Sequence, residues 1–431
     1  MKSREALLEA YMAAAAFADE HSEDNPDRLL LNAAGRSGID MKIVASTLES
    51  RRRLLAKAPM WARTPGLVFP RTISAQQCSG ELSAAYKAGL AALFQPSIVA
   101  DLTGGIGVDT LALSRICTSC HYNEMNDNLC AAAELNFQQI NKCNKDVYKG
   151  NIFVSSYSAS KDDPEFVDWL RKISPDLIYL DPARRDGSGN KVFLMEDCSP
   201  DVVSLQELLL SVAPTVMIKL STMADLSMVI SRLRHCSMLR ILEYGGECRE
   251  LVALLQRDYE GECSIAAVNL DLGNDLLLEC HTSDFATTAT IAPSEDIVCG
   301  NYIFEPSKSL MKTGCFGLIS RVLGAGCVGR DSHFYILTPQ RIAELGELPL
   351  LRSGRISRIL EAASLSKRSL RDFAGRYPCA ETIARNVRFS SVELRARLGC
   401  RSSDSIRIFA LGTDSSGEKI LIAAERVQNL S

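Results

Sequence analysis

The chain has 431 residues, of which 46% are hydrophobic, and its 48 Lys and Arg stand against 52 Asp and Glu for a net charge of −4. This length and composition predict a globular protein with two or three domains. No run of about 18 uncharged apolar residues is present, which excludes a membrane-spanning helix. The N-terminal segment reads as an alanine-rich helix broken by acids, unlike a secretory signal. We therefore expect a cytoplasmic protein with no membrane partner.

The cysteines indicate a reducing compartment. There are 15 of them, an odd number scattered through predicted helices and strands, so they are interpreted as small core residues and not as a disulfide framework. Cys117 and Cys120 have the spacing of a zinc-binding pair, but they lie where a buried strand is expected. We predict no metal site.

The charge is unevenly distributed along the chain. Residues 351–431 carry 15 Lys and Arg against 8 Asp and Glu, a balance of +7, and the rest of the chain carries −11. A basic C-terminal region is typical of a nucleic-acid-binding appendage, because Lys and Arg gain affinity by releasing phosphate counterions. An ordinary solvated surface would also account for it.

The order of the predicted elements indicates the architecture. Residues 1–93 read as helices, and strand and helix patterns alternate from 97 to 272, which is typical of a parallel sheet covered on both faces. Residues 279–330 form a short mixed segment, and 331–431 form a small α+β unit. The predicted fold class is α/β: a Rossmann-like, doubly wound sheet of seven strands, with a helical N-terminal region and small α+β C-terminal domains. The predicted strands of the sheet are 97–102, 120–124, 151–156, 176–181, 215–220, 239–244 and 264–270.

The first chemical motif is VADLTGGIGVDT, residues 99–110. A strand that ends at Asp101 runs into a glycine-rich turn before a helix, so the backbone can pass close to a nucleotide-like ligand at the carboxyl edge of the sheet. A dinucleotide fingerprint needs a third glycine where Thr110 stands, and Asp101 would repel a pyrophosphate. A cofactor with a positive sulfonium and an ammonium group would be attracted to this acid.

A second acid follows at the end of the next predicted strand. Glu124 can accept hydrogen bonds from both hydroxyls of a ribose, and an acid, a glycine turn and a further acid on the neighbouring strand form the arrangement that suits S-adenosylmethionine. We therefore predict this cofactor, with a nicotinamide dinucleotide as the alternative. The predicted cofactor-binding residues are Asp101, Thr103, Gly104, Gly105, Gly107, Asp109, Glu124 and Asp181.

The fourth predicted strand runs into the second motif, LIYLDPARRDGSG, residues 177–189. The carboxyl end of this strand faces the cofactor in a doubly wound sheet, so Asp181 and Pro182 are predicted to wall the pocket that receives the nucleophile. Asp181 can accept a hydrogen bond or a proton from the attacking group. An ordinary Asp-Pro turn with surface arginines is the structural alternative. The predicted catalytic residues are Asp181, Pro182 and Arg184.

These motifs, in this order, resemble those of the class I S-adenosylmethionine-dependent methyltransferases and, more specifically, those of the bacterial THUMP-like-domain methyltransferases. The segments that carry the resemblance are 76–87, 181–201, 217–226, 246–255, 302–314 and 384–399. The resemblance implies a helical N-terminal region (1–93), a methyltransferase core (94–278), a small ferredoxin-like segment (279–330) and a THUMP-like α+β domain (331–431). Because THUMP domains bind RNA, it also implies an RNA partner.

The second motif departs from that of enzymes that methylate exocyclic amines. Those enzymes place an aromatic residue at its fourth position to stack the flipped base, and Arg184 stands there. Asp-Pro-Ala-Arg is closer to the motif of uridine C5 methyltransferases, which also need a cysteine nucleophile, and Cys198 and Cys248 are the candidates. Arg184 and Arg185 can grip a phosphate in bidentate fashion or pair with neighbouring acids.

Other charged residues are candidates for substrate binding. Lys219 lies in an otherwise apolar strand, where a buried ammonium needs a partner. Residues 244–250 predict the start of a helix with Glu247 and Glu250 on one face, although a first-turn acid also serves as a partner of the helix dipole. The predicted substrate-binding residues are Arg185, Lys219 and Glu247.

Together these features predict an S-adenosylmethionine-dependent methyltransferase that acts on RNA by in-line methyl transfer. Two alternatives from other classes are kept. One is a non-catalytic RNA-binding protein on the same fold. The other is a methyltransferase for a small molecule or a protein, with the basic C-terminal region as an ordinary surface.

Overall fold

The structure, a computed structural model, describes residues 4–31, 38–144, 150–183, 195–329, 331–413 and 418–427. The chain forms two compact units. The first comprises Met1–Leu239 and Glu250–Gly261, and the second comprises Arg240–Arg249 and Glu262–Ser431. The finer division at residues 93, 278 and 330 stays a prediction. Among the helices described, none has both the length and the apolar character needed to cross a bilayer.

The first unit begins with a helical region and continues with alternating strands and helices. Its helices are α1 (Arg4–Glu20), α2 (Pro26–Leu31), α3 (Met41–Leu54), α4 (Pro59–Arg63), α5 (Thr72–Gln77), α6 (Glu81–Ala92), α7 (Val108–Leu113), α8 (Asp127–Cys143), α9 (Pro164–Ile173), α10 (Val202–Val212) and α11 (Leu226–Arg232). Its strands are β1 (Ile98–Asp101), β2 (Ser119–Asn123), β3 (Asn151–Ser155), β4 (Leu177–Leu180) and β5 (Thr215–Leu220), together with parts of β6 (Cys236–Tyr244) and β7 (Glu247–Gln256).

The sheet of the first unit has the strand order β3-β2-β1-β4-β5-β7-β6. Strands β1 to β5 pair in parallel, and β7 runs antiparallel to β5. All of β4 and nearly all of β5 are buried, as expected for strands covered on both faces. The predicted doubly wound α/β sheet is confirmed. Its order reverses between β1 and β4, and in such sheets ligands bind outside the carboxyl ends of the strands at this point.

The seventh strand of this sheet, β7, is not the strand that the sequence predicts. Residues 247–256 form β7, so the prediction of a helix that begins at Glu247 is wrong. Glu, Leu and Ala favour a helix, but residues 251–255 are all buried, and a continuous apolar run suits an interior strand. Gly245 and Gly246 have φ values of 61° and 67°, as a two-residue hairpin turn requires. The strand predicted at 264–270 belongs to the second unit.

The N-terminal helices pack against the helix that follows β2. Tyr11 and Ala15 of α1 share a core cluster with Val68 and with two alanines of α8. The side chain of Asn136, also on α8, forms two hydrogen bonds of 2.9 Å with the backbone of Val68. The predicted helical N-terminal region is therefore an integral part of the first unit.

The second unit contains two sheets. In one, the ends of β6 and β7 lie beside two further strands in the order β7-β6-β8-β9, and the other has the order β11-β10-β12-β15-β14-β13. The additional strands are β8 (Ser264–Asn269), β9 (Asp275–His281), β10 (Tyr302–Glu305), β11 (Tyr335–Leu337), β12 (Arg355–Ser364), β13 (Glu381–Arg385), β14 (Ile406–Gly412) and β15 (Lys419–Arg426). The helices are α12 (Lys308–Thr313), α13 (Phe316–Leu323), α14 (Pro339–Leu345), α15 (Pro349–Ser353), α16 (Lys367–Arg376) and α17 (Ser391–Leu398).

The six-stranded sheet buries both of its faces. Along β14, Ile408 belongs to one core cluster and its neighbour Phe409 to another, because successive strand residues point to opposite faces. Phe373 of α16 and Leu394 of α17 pack in the cluster with Ile408. The small α+β unit predicted near the C-terminus is confirmed. The arginines of α16 and α17 are exposed.

Candidate cofactor and active site

The turn after β1 depends on its glycines. Gly105 and Gly107 have φ values of 56° and 94°, in the left-handed region that L side chains rarely adopt. At Gly104 a Cβ atom would lie 2.1 Å from the ring of Tyr122, and at Gly107 it would lie 2.5 Å from Phe137. A Cβ at Gly105 would meet nothing closer than 3.9 Å. This turn therefore packs against the protein at two glycines and leaves open space at the third.

Asp101 is buried at the end of β1, with 1% of its surface exposed. Its carboxylate accepts hydrogen bonds from the Thr103 backbone N–H at 3.1 Å and from the Thr110 hydroxyl at 2.6 Å. Burial raises the pKa of Asp101 to about 7, against the opposing effect of these hydrogen bonds. A positive charge placed nearby would stabilise its anion, because opposite charges favour the ionised form.

Glu124 follows β2 and reaches the glycine turn. Its carboxylate accepts hydrogen bonds from the backbone N–H of Gly105 at 3.1 Å and of Asn126 at 3.0 Å. Burial raises the pKa of Glu124, and these N–H groups oppose the shift. The next residue, Met125, is 66% exposed. Sequence reasoning missed this apolar side chain beside the acid, although an apolar residue directly after a strand-end acid is a usable signal.

Asp181 follows β4 and forms an ion pair with Lys219 of β5. The Lys219 Nζ lies 2.6 Å from the Asp181 Oδ2, and 12% and 32% of the two side chains are exposed. Burial raises the pKa of Asp181, and the Lys219 ammonium partly offsets this. Burial alone would lower the pKa of Lys219, but neighbouring carboxylates, Asp181 foremost, raise it above its ordinary value. Two residues predicted for different roles are therefore brought together.

The other residues of the second motif are placed as follows. Pro182 is buried, and Ala183 exchanges two backbone hydrogen bonds with Ser199, of 2.7 and 3.0 Å. Arg184 and Arg185 lie outside the described residues, so their predicted contacts stay predictions.

A buried ionic cluster lies in the same unit. The Lys87 Nζ of α6 lies 2.8 Å from the Asp109 Oδ1 and 3.0 Å from the Glu250 Oε2, and it donates to Ser79 at 2.6 Å. The Tyr179 hydroxyl donates to the other Asp109 oxygen at 2.9 Å. The two carboxylates raise the pKa of Lys87 against its burial, and the pKa values of Asp109 and Glu250 are lowered chiefly by Lys87, again against burial.

This cluster changes the interpretation of several residues. The carboxylate of Asp109 faces a lysine, a serine and a tyrosine of the protein itself, and its predicted role in cofactor binding stays a prediction. Glu250 was read as a helical acid and is a buried partner of Lys87. The role of Lys87 had no chemical signal in the sequence beyond a lysine in an alanine-rich helix, because its partners lie far away along the chain.

Glu247 lies in the second unit, where it pairs with the exposed Lys308. The hydrogen bond from Lys308 lowers the pKa of Glu247. Cys248 lies beside it, and burial raises the pKa of its thiol to about 11, which makes it a poor source of thiolate. Within the described residues no group of three or more His, Cys, Asp or Glu could hold a metal ion.

The chain is similar over its whole length to the crystal structure of a proposed methyltransferase from Porphyromonas gingivalis W83. The two share 26% of residues with a TM-score of 0.81, over 99% of this chain and 100% of that chain. This similarity shows that the same fold extends over both units. Residues 302–340 match a family of ferredoxin-like domains, which overlaps the ferredoxin-like segment predicted at 279–330. No curated protein matches the sequence.

Two other solved structures align more weakly. An O-methyltransferase from Bacillus cereus in complex with SAH is 10% identical over 55% of this chain and 99% of that chain, with a TM-score of 0.30. An rRNA methylase from Streptococcus thermophilus is 13% identical over 40% of this chain and 94% of that chain, with a TM-score of 0.28. Scores this low support no argument about this chain.

Proposed function

We propose that this protein is an S-adenosylmethionine-dependent methyltransferase that acts on RNA. The observation that carries the proposal is the placement of Asp101, Glu124 and Asp181 at the carboxyl ends of β1, β2 and β4, around a glycine turn. Three acids at this edge suit a cationic cofactor and oppose a pyrophosphate. The structure similar over the whole chain, from Porphyromonas gingivalis, is itself described as a proposed methyltransferase.

The described residues fit S-adenosylmethionine. Asp101, buried and with its pKa at about 7, would be stabilised as an anion by the cationic methionine end of the cofactor. Glu124 would hold the ribose hydroxyls, the open face of Gly105 would allow a close approach, and Met125 would cover the adenine. Once bound, S-adenosylmethionine supplies an electrophilic methyl group on sulfur.

RNA is supported by the charge of residues 351–431, which lie in the second unit and carry 15 Lys and Arg against 8 Asp and Glu. The solvent side of α16 and α17 carries Arg371 and Arg395, and Arg388 lies in the loop before α17; all three are exposed. The guanidinium of Arg397 lies 4.3 Å from the centre of the Phe389 ring. Positive and aromatic groups together are what single-stranded nucleic acids bind.

Titration calorimetry with S-adenosylmethionine and with NAD tests the cofactor. We expect heat of binding for the first compound alone; binding of NAD alone, or of neither, would contradict the proposal. A methyl-labelled cofactor incubated with RNA from a strain that lacks the gene then tests the substrate. Label in RNA is expected, whereas a cofactor that binds and labels only protein or small molecules would favour the alternative substrates.

A further inference from the structure

The ion pair between Asp181 and Lys219 is the most unusual feature of the carboxyl edge. Lys219 lies in a strand whose five other residues are all buried, and its Nζ lies 2.6 Å from a carboxylate that is about one-third exposed. An ammonium group in such a position is costly unless carboxylates surround it. Its position at the edge where the methyl acceptor would bind, beside a partly exposed carboxylate, points to a chemical role.

The buried cluster holds Lys219 in place as a cation. Val252 of β7 pairs with Lys219 of β5, which brings Glu250 close along the same strand. Glu250 and Asp109 add to the effect of Asp181 on Lys219, and Lys87 in turn neutralises those two carboxylates. The cluster of two lysines and three carboxylates is fixed by contacts among α6, α7, β4, β5 and β7.

A fixed ammonium beside a carboxylate discriminates between methyl acceptors. A nitrogen that attacks a sulfonium methyl group gains positive charge, which Lys219 would repel. A hydroxyl oxygen that gives up its proton gains negative charge, which Lys219 would stabilise. A carbon acceptor of the uridine C5 type needs a thiolate nucleophile, and burial raises the pKa of Cys248, one of the two candidate thiols, to about 11. The pair therefore suits an oxygen acceptor.

We propose that the methyl acceptor is a ribose 2′-hydroxyl of RNA, with Asp181 as the proton acceptor and Lys219 as the cation beside the developing oxyanion. This inference rests on the proposed function. The hydroxyl oxygen forms a bond to the methyl carbon while the carbon–sulfur bond breaks. The electron pair of the broken bond stays on sulfur, so the rest of the cofactor leaves as a neutral thioether. The hydroxyl proton passes to the Asp181 carboxylate and then to water.

The 2′-hydroxyl is selected among alcohols by the structure of RNA. In an internal nucleotide the 3′ and 5′ oxygens of the ribose are esterified to phosphate, so the 2′-hydroxyl is the one alcohol available, and it distinguishes RNA from DNA. A ribose acceptor also needs no stacking platform for a flipped base. The second motif has no aromatic residue at its fourth position.

The identity of the product tests the inference directly. RNA from a strain that lacks the gene is incubated with the full-length protein and methyl-labelled S-adenosylmethionine, digested to nucleosides and analysed by mass spectrometry. We expect label in 2′-O-methylnucleosides and in dinucleotides that resist alkali. Label in a base with an unmodified ribose would overturn this inference and leave the proposed function standing, whereas absence of cofactor binding in calorimetry would overturn both.

A second test uses the substrate and needs no enzyme variant. Once the labelled position is mapped, a synthetic RNA of that sequence with a single 2′-deoxynucleotide there should accept no methyl group, while its binding, measured by filter retention, stays unchanged. Full methylation of the deoxy-substituted RNA would refute a ribose acceptor.

Variants test the two roles. Lys219→Met should lower kcat by about 10²- to 10³-fold, and Asp181→Asn by about 10²- to 10⁴-fold. Thermal unfolding should show that both variants are folded, and calorimetry should find the affinity of Lys219→Met for S-adenosylmethionine largely retained. Lys219→Arg keeps the charge and should lose less kcat than Lys219→Met, and Lys172→Met on the exposed end of α9 is the matched control with unchanged kcat. Retention of full kcat by Lys219→Met would rule out its role.

Discussion

The Thr103 hydroxyl accepts a hydrogen bond of 2.6 Å from the backbone N–H of Asp181, which ties the glycine turn after β1 to the end of β4. The residue that begins the turn therefore fixes the backbone of Asp181, the acid that we propose as the proton acceptor. Thr103→Val keeps the shape of the side chain and removes the acceptor, so we expect a loss of stability of about 1 to 3 kcal/mol and weaker binding of S-adenosylmethionine. Thr103→Ser keeps the hydroxyl and should behave like the natural protein in thermal unfolding and calorimetry.

Gly104 has no room for a side chain. Its Cβ would lie 2.1 Å from the Tyr122 ring, and that ring is held by a hydrogen bond of 2.7 Å from its hydroxyl to the Gly105 carbonyl. Gly104→Ala should therefore lower the free energy of unfolding by about 1 to 3 kcal/mol. Gly89→Ala in α6 is the control, because nothing lies within 4 Å of its added methyl group, and it should raise stability by about 0.5 to 1 kcal/mol. Equal effects at the two positions in urea unfolding would contradict the prediction.

Lys87 neutralises two buried acids. Lys87→Met leaves Asp109 and Glu250 without their lysine, and removal of one partner from a buried ion pair costs about 3 to 5 kcal/mol. Adding Asp109→Asn to this variant should restore part of the loss, because one of the two stranded charges is removed. Lys308→Met, at the exposed pair with Glu247, should change stability by less than about 1 kcal/mol. Urea unfolding at neutral pH measures all three variants.

The raised pKa of Asp101 predicts how the stability of the protein depends on pH. Its pKa is about 7 in the folded protein and about 3.9 in an unfolded chain, so the folded state binds more protons between these values. Its contribution to stability is therefore complete below about pH 4 and lost as the pH rises toward 7. The free energy of unfolding is measured at about pH 4.5 and at about pH 7.5. It should fall less between these two values for Asp101→Asn than for the natural protein.

The same residue should make cofactor binding depend on pH. Affinity for S-adenosylmethionine should rise as Asp101 ionises near pH 7, since a cationic ligand favours the anion, and calorimetry in buffers of different ionisation enthalpy should detect proton release. The cofactor's own amino group also titrates, so the difference between the natural protein and Asp101→Asn is the informative quantity. Identical pH profiles for the two proteins would count against a cation beside Asp101.

Arginines of the second unit should contribute to RNA binding through phosphates. Arg371→Ala and Arg395→Ala should each reduce the slope of log affinity against log salt by about 0.7 for single-stranded RNA, one phosphate contact apiece. Arg234→Ala, an exposed arginine of the first unit paired with Glu207, is the control with an unchanged slope. Filter binding at several salt concentrations measures these slopes. If Arg371→Ala and Arg395→Ala have the same slope as the control Arg234→Ala, these arginines do not contact RNA phosphates.

The acids of the cofactor edge could be located from the sequence because they follow from local pattern and topology. A strand that ends in Asp101, a glycine turn and a strand that ends before Glu124 are each read within a few residues. Parallel strands place their carboxyl ends at one edge, so the proximity of these groups to Asp181 was predictable without coordinates. The roles of these residues in binding stay predictions until a ligand is tested.

Residues 247–256 show where local reading failed. Their composition favours a helix, and only the pairing with β5 and the burial of the whole run decide for a strand, since tertiary contacts override weak local preferences. Both Glu247 and Glu250 were misplaced for this reason. Glu247 forms an exposed ion pair with Lys308, and Glu250 belongs to the buried cluster around Lys87.

The amino-acid sequence by itself determined the alternating strands and helices, the glycine turn and the acids at the strand ends, because periodicity and turn chemistry act over neighbouring residues. The tertiary structure alone decided which carboxylate each lysine meets. Lys87, Asp109, Lys219 and Glu250 come from four elements far apart in the chain, and an ion pair between such residues depends on packing and on the exclusion of water, which no local pattern records.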